Sequence, residues 1–554
     1  MSRGLRASAI MAAGTTVSRV TGFVRTMVLA YAIGTAAMGD AYNAAYAIPY
    51  SILDLLLLGV LSSVVVPMIV RAQQEDPDGG RAYEQRLLTV VTLALIVVAV
   101  AAVLAAPLLI DLYTTNWAPD SDEFQVAVML ARFILPQLAF FGIGAVAGAI
   151  LNTRDRFAAP MWAPVVNNLV VICILLAFAM VAGRGGSNVS QVTEAQLALL
   201  GLGTTAGIVA QSIVLIISLK RAGFSFVPRF DLRNARLGEM AKMGVWTIGY
   251  VVITQLGFML TTNLSSAAGD QAPGHGITPY TFAFQLFQLP YGIIGVSVIT
   301  AMLPRMSRAV GKGRLDDVRD EFQSSVRLIS SVMVPVSILL MVLGPAITVP
   351  IYAHGATSVA DAIYIGNVLQ VYGLALMPFA VFQLLLRVFY SFGDTRTPVF
   401  VGAGTTAVNA LLMVILYVSL PARYVVMGLA FAYAIAYTLG GIVAWVLASR
   451  RVQGLGGWAV GAAITRMYWS SLPAAVLALA SVWAAQRLSG GLGFVSALAI
   501  LVVGGGLGML LYLGIALKTR IPEISSILGM VTRRAAPPVK QDADAIDDTA
   551  VVPD

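Results

Sequence analysis

Two arginines six residues apart, Arg19 and Arg25 in "TTVSRVTGFVRTMV", stand near the middle of an otherwise apolar run. A guanidinium is permanently charged and presents a fork of donors that matches phosphate or carboxylate oxygens. A charge at the centre of a bilayer costs about 2.5–3.5 kcal/mol on insertion scales, so the pair implies either a wet cavity or a partner. On an ideal helix the two side chains diverge by roughly 120°, wide enough to line a broad cavity for an anion. The competing reading is that both pair with Asp40, Asp54 or backbone carbonyls and only hold helices together. Gly14 and Gly22, with Thr15, Thr16, Ser18 and Thr21, give this segment the means to bend and to be approached closely. Asp54 lies deep in the next apolar run, where a carboxylate must be protonated, wet or paired. Arg19 and Arg25 are the mid-span cations nearest in sequence, so one of them is its expected partner in at least one conformation. Arg132 and Arg387 lie near span ends and are expected to snorkel.

Little else in the chain is equipped for chemistry. His275 and His354 occupy separate loops and Cys173 is the only cysteine, so no zinc cluster and no intrachain disulfide are expected. Gly311-Lys312 lacks the earlier glycine and the following Ser or Thr of a phosphate-binding loop, which argues against an ATP-driven pump. Asp120, Asp122 and Glu123 would be the only acids placed to act as the base of a membrane-embedded glycosyltransferase. They have no basic or metal partner in view. The sequence therefore predicts no catalytic residues and no cofactor.

The elements that must hold these residues follow from composition. Of 554 residues, 58% are hydrophobic and only 11% are charged, against about 25% charged in soluble domains. A span needs about 20 apolar residues. Such runs lie near 8–34, 41–71, 87–111, 126–151, 158–183, 194–219 and 237–262. Others follow near 277–304, 326–352, 361–392, 398–420, 424–449, 469–486 and 493–517. The runs at 41–71 and 361–392 are long enough to tilt or break. Arg3 and Arg6 precede a long first span with no cleavage pattern, so no signal peptide is expected. Of the 35 Lys and Arg, 28 fall in the loops on the side of the N-terminus, three (Arg184, Arg423, Arg487) in the opposite loops, and four within spans. By the positive-inside rule both termini are cytoplasmic. The net charge of +8 is thus a topology signal and gives no reason to invoke nucleic acid.

Two stretches repeat. Pro49-Tyr50, Gly59-Val60, Pro67 and Arg71-Ala72 are echoed by Pro290-Tyr291, Gly295-Val296, Pro304 and Arg308-Ala309. Asp155-Arg156 with Pro160 and Asn167 is echoed by Asp394-Thr395-Arg396 with Pro398 and Asn409. Both offsets are six spans. The expected fold is an all-α polytopic membrane protein of about fourteen transmembrane helices. Two six-helix lobes related by a pseudo-repeat (1–225 and 226–455) are followed by two helices (456–520) and a disordered tail (521–554). Parallel repeats of this kind are a transporter architecture. Leu315, Val318, Phe322 and Val326 form an apolar stripe, so Arg314–Arg327 is expected to be a linker helix lying along the membrane surface.

The segments "VSRVTGFVRTMVLAYAIG…GDAYNAAYAIP", "GAILNTRDRFAAPMWAPVVNN", "QLPYGIIGVSVITAMLPRMSR" and "VFYSFGDTRTPV" together resemble the MurJ/MviN lipid II flippases of the multidrug/oligosaccharidyl-lipid/polysaccharide exporter superfamily. The Ala, Val, Gly and Arg-heavy composition points to a high-GC, actinobacterial source. The resemblance implies alternating access, a cationic cavity for a diphosphate-sugar headgroup, and a groove involving spans 13 and 14 for the polyprenyl tail. It also implies a place in the bacterial cytoplasmic membrane beside cell-wall synthesis proteins. By position, Arg19, Arg25 and Asp40 match the family's functional residues of spans 1 and 2. Where relatives carry further cavity arginines this chain has Leu53, with Asp54 beside it, and Gln285; Gln288 replaces a nearby acid. The substrate site implied is Arg19, Arg25, Asp40, Asp54 and Gln285. Some relatives hold sodium on spans 7, 11 and 12. Here span 7 has no acid in its core and Asn409 has no acidic neighbour one turn on, so no sodium site is expected. A flippase for another polyprenyl-diphosphate-linked oligosaccharide shares every one of these features. A drug or cation antiporter of the same superfamily would need cavity acids rather than two arginines.

Overall fold

Hydrocarbon offers backbone N–H and C=O groups no partner, so apolar runs of this length satisfy their own hydrogen bonds as helices. The computed structural model describes residues 3–54, 66–183, 188–230, 237–519 and 521–524, and they are helical nearly throughout. The first half comprises α1 (Arg3–Ile33), α2 (Ala37–Leu53), α3 (Val66–Glu75), α4 (Arg81–Leu104), α5 (Ala106–Tyr113), α6 (Asp122–Ile134), α7 (Gln137–Thr153), α8 (Ala158–Ala182) and α9 (Glu194–Arg221). The second comprises α10 (Leu237–Gln271), α11 (Ile277–Pro290), α12 (Val296–Gly311), α13 (Leu315–Tyr352), α14 (Val359–Ser391), α15 (Arg396–Ser419) and α16 (Ala422–Arg451). Helices α17 (Gly457–Ser489), α18 (Phe494–Ile500) and α19 (Gly508–Lys518) follow.

Among the described residues, eleven helices are long and apolar enough to cross a membrane, so the chain is a multi-pass membrane protein. The other three expected spans coincide with α1, with α2 and α3 on either side of 55–65, and with α10. The middle of the second span and the Pro/Asp-rich tail beyond residue 524 lie outside the described residues.

Packing divides the core. One set of buried side chains runs from Ala32 to Leu200 with Ile277, and another joins α3 to the segment after α9. A third runs from Leu264 to Ile524 and includes Ala30 of the first half, with Phe23, Met27 and Leu29 packed against it. Most of the hydrogen bonds between the halves, among the described residues, gather at one end of the bundle. The Tyr31 carbonyl accepts from Ala356 N at 2.9 Å, Thr357 Oγ1 donates to the Ala30 carbonyl at 2.8 Å, and Asn263 Nδ2 donates to Thr115 Oγ1 at 2.7 Å. We call this end, opposite the chain's N-terminus, the far side.

The near side of the first half is tied by a buried polar network. Glu84 is fully buried and ion-paired with Arg154; it also accepts from Gln73 Nε2 at 2.8 Å. Arg154 donates to the Ala222 carbonyl at 3.3 Å and lies over the Phe224 ring, while Gln85 holds Ser225 and Arg229. The segment leaving α9 is thereby clamped to the first half. Removing one partner of a buried ion pair costs about 3–5 kcal/mol, so Glu84→Ala is expected to lower the melting temperature of detergent-purified protein markedly. An unchanged melting curve would show that the pair contributes nothing to this half.

The segment 314–327 departs from expectation. It is the first third of the unbroken 38-residue helix α13, and its stripe faces protein: Val318, Phe322 and Val326 are fully buried, with Phe322 edge-on to Trp445. Arg319 donates to the carbonyls of Val452, Gln453 and Gly454. An apolar stripe signals a partner surface without saying whether that surface is lipid or protein, and here neighbouring helices, Trp445 of α16 among them, take the place assigned to the membrane.

Candidate functional site

Helix α1 approaches α8 closely because its glycines carry no side chain: a Cβ on Gly14 would meet Trp162 at 2.9 Å, and one on Gly22 would meet Asn168 at 3.5 Å. Asn168 Nδ2 donates to the Ser18 carbonyl at 3.1 Å and to Thr21 Oγ1 at 3.0 Å, which fixes the rotation of α1. That rotation sends Arg19 and Arg25 to different places.

Arg25 lies over the Tyr46 ring, 5.6 Å from its centroid. It lines a pocket of about 100 Å³ with Thr26, Tyr42, Asn43, Tyr46, Thr281 and Gln285. The pocket therefore takes walls from α1 and α2 of one half and α11 of the other. Gln285 Oε1 accepts from Thr26 Oγ1 at 2.7 Å, closing it across the seam. No acid stands beside Arg25 among the described residues; its local partners are aromatic, and Leu29, Val171, Leu175 and Phe282 complete the walls of its pocket.

Arg19, one and two-thirds turns closer to the near side, is exposed. It lines a lateral opening of about 420 Å³ between α1 and the turn joining α11 to α12, with Thr15, Thr16, Phe23, Leu289 and Ile293 among its walls. The joint is a π-helical turn, Tyr291–Gly295, and a Cβ on Gly292 would run into the Arg19 guanidinium. One arginine thus lines an exposed opening between the halves and the other a smaller pocket nearer the far side.

Asp40 joins the halves at the far side. It is 4% exposed, and its Oδ1 accepts from Thr278 N at 2.7 Å and from Thr278 Oγ1 at 2.6 Å. Thr278 is in the first turn of α11, so a carboxylate from α2 caps a helix N-terminus of the opposite half, where both the free N–H groups and the helix dipole favour an anion. The other carboxylate oxygen rests against Gly269 and Gly276, where a Cβ would collide with it. Asn43 Nδ2 adds a bond to Thr278 Oγ1 at 3.1 Å.

Asp54 makes no ion pair with Arg19 or Arg25 here. Its Oδ2 accepts from Gln255 Nε2 of α10 at 3.0 Å, a partner 201 residues away that nearness in sequence to the first span does not reveal. Arg132 is exposed, and Arg387 lies over Tyr390. Asp122 and Glu123 occupy the first turn of α6 behind the N-cap Ser121, a helix-end role. Sequence reasoning missed Thr278, Gln255 and the tyrosines around Arg25; only the last left a trace, the four-residue spacing of Tyr42, Tyr46 and Tyr50.

This arrangement, polar contacts across a seam between two helical halves, can be set beside known proteins. Residues 29–503 match the family model described as lipid II flippase MurJ. The chain belongs to the MurJ lipid II flippase family. A probable lipid II flippase MurJ of Rhizobium tropici is 27% identical over 540 residues, covering 96% of this chain and 97% of that one. Another from Rhizobium meliloti (strain 1021) is 28% identical over 410 residues, covering 73% and 74%, and the lipid II flippase MurJ of Burkholderia cenocepacia is 25% identical over 405 residues, covering 72% and 75%. In fold, the chain resembles a lipid II flippase MurJ in an inward closed conformation, with TM-score 0.71 at 19% identity, covering 95% of this chain and all of that one. An inward-facing MATE transporter of the MOP superfamily follows with TM-score 0.62 at 14% identity, covering 79% and 94%. The family assignment and the fold agree with the resemblance drawn from the sequence motifs.

Proposed function

We propose that the protein moves lipid II, the polyprenyl-diphosphate-linked peptidoglycan precursor, from the inner to the outer face of the bacterial cytoplasmic membrane by alternating access. The observation that carries this reading is Arg25: a guanidinium free of any acid, in a pocket walled by both halves, with Asp40 sealing the far side and Arg19 at a lateral entrance. A lipid can present its headgroup through such an entrance while its tail stays in the bilayer, and the two forks suit the two phosphates. In this reading 1–225 and 226–455 are the moving lobes, fourteen spans complete the bundle, and 456–520 borders the tail. Arg19, Arg25 and Gln285 contact the diphosphate, Asp40 holds the far-side seal, and Asp54 links the lobes through Gln255. The protein binds no nucleic acid and works beside cell-wall synthesis enzymes. Flippases for other polyprenyl diphosphates share the phosphate chemistry; the names of the relatives favour lipid II.

In this orientation both termini are cytoplasmic and the far side is extracytoplasmic. With exposed Cys173 replaced by serine, a cysteine at Ser121 is expected to react with an impermeant thiol reagent in intact cells, and one at Ser225 is not. The reverse pattern would invert the topology and with it the direction of transport.

A further inference from the structure

Helix α2 and the residue that follows Leu53 carry Tyr42, Tyr46, Tyr50 and Asp54 at four-residue intervals, so neighbouring side chains stand one turn apart in a row that winds by about 40° per step. Tyr42 and Tyr46 are stacked with centroids 5.7 Å apart, Tyr46 and Tyr50 lie at 4.7 Å, and Tyr50 meets Phe141 edge-on at 5.1 Å. Their hydroxyls are fixed as well: Tyr42 to Thr204 Oγ1 at 3.0 Å and Tyr46 to Tyr50 at 2.7 Å. The row starts beside Arg25 and descends toward the near side, covering roughly 12 Å from Tyr46 to Asp54 at the helical rise.

Aromatic rows on helices are usually core, and the second half has such a core: Phe287, Tyr372 and Phe382 are buried. Tyr46 and Tyr50 differ. Both are only half-buried, and they are bracketed by two ionic groups, Arg25 and Asp54, that face the opposite half through Gln285 and Gln255. A site built for a diphosphate has no use for a carboxylate, which repels it. A sugar uses all three parts. Its C–H face packs on an aromatic ring, its hydroxyls donate to a carboxylate, and tyrosine hydroxyls both donate and accept. The pocket at Arg25, about 100 Å³, is small beside the opening of about 420 Å³ at Arg19.

We propose that Tyr50 and Asp54 form the saccharide subsite of the headgroup site, reading the amino sugars next to the diphosphate, with Tyr46 holding the Tyr50 hydroxyl in place. This inference rests on the lipid II reading above. Sugar hydroxyls that take over the Asp54 carboxylate displace Gln255, removing a bond between the halves, and a ligand shifts the two states by such a difference in contacts.

Binding of two probes to the purified full-length protein tests it: lipid II, and a polyprenyl diphosphate of the same tail without sugar. Wild type is expected to prefer lipid II. Tyr50→Leu and the near-isosteric Asp54→Asn are each expected to lower lipid II affinity roughly tenfold and leave the sugar-free lipid within about twofold, whereas Arg25→Ala weakens both. Equal losses on both probes would overturn the subsite and leave the row a support for Arg25. No loss on either, with wild-type binding intact, would overturn it too. Failure of wild type to bind either probe would instead remove the lipid II reading itself.

Discussion

Arg25→Ala is expected to abolish flipping while leaving the amount of protein in the membrane near normal. The guanidinium holds no ion pair whose loss would orphan a buried acid; its near neighbours are Tyr46 and Thr26. What the substitution removes is a charge-assisted contact to substrate, worth about 1.5–3 kcal/mol, or roughly 10–150-fold in occupancy. Arg25→Lys keeps a cation over Tyr46 but loses the fork, and is expected to restore transport only in part. Arg19→Ala is expected to fail similarly in transport, through loss of capture at the side entrance. Normal growth of cells carrying either alanine variant as the sole copy would remove these residues from the substrate site.

Asp40→Ala is expected to unlock the far side. In the sealed state Asp40 accepts both the backbone N–H and the hydroxyl of Thr278; without it, both donors are left buried and the start of α11 loses its counter-charge. Hydrogen bonds to charged groups are worth about 1.5–3 kcal/mol, and that cost falls on the sealed state only. The balance between states therefore moves roughly tenfold or more toward the open one. A cysteine at Thr357, 4% exposed in the seam, gives the readout in a Cys173→Ser background. Its labelling by a water-soluble maleimide is expected to accelerate at least about tenfold in Asp40→Ala. Gly276→Ala is expected to act in the same direction, since its methyl would collide with the Asp40 carboxylate. Unchanged labelling in both would mean that Asp40 is not what holds the far side.

How much of this was legible in the sequence depends on the kind of signal each residue leaves. Arg19 and Arg25 stand out because a mid-span arginine is costly and demands a reason. The spans stand out because lipid imposes their length, and α8, expected at 158–183, is helical over Ala158–Ala182. Asp40 and Gln285 came from family resemblance; nothing in their local sequence says that one seals a helix end and the other faces Thr26. Pairings across the seam leave no local trace at all. Asp40 and Thr278 are 238 residues apart, and Gln255, which Asp54 meets in this conformation, is 201 residues from it. The apolar stripe of 315–326 shows an amphipathic helix but not its partner, since periodicity gives the buried face and not what buries it; the structure puts protein there where the sequence suggests the membrane surface. The tyrosine row fell between these cases: its spacing was visible, its bracketing by Arg25 and Asp54 was not.

The central claim is tested most directly by lipid II translocation in liposomes containing the purified protein, with and without an imposed membrane potential. Wild type is expected to move the headgroup to the opposite leaflet under at least one of the two conditions, and Arg25→Ala protein at matched density to leave it at the rate of empty liposomes. Wild-type translocation no faster than in empty liposomes under both conditions, or equal to that of Arg25→Ala, would contradict the account.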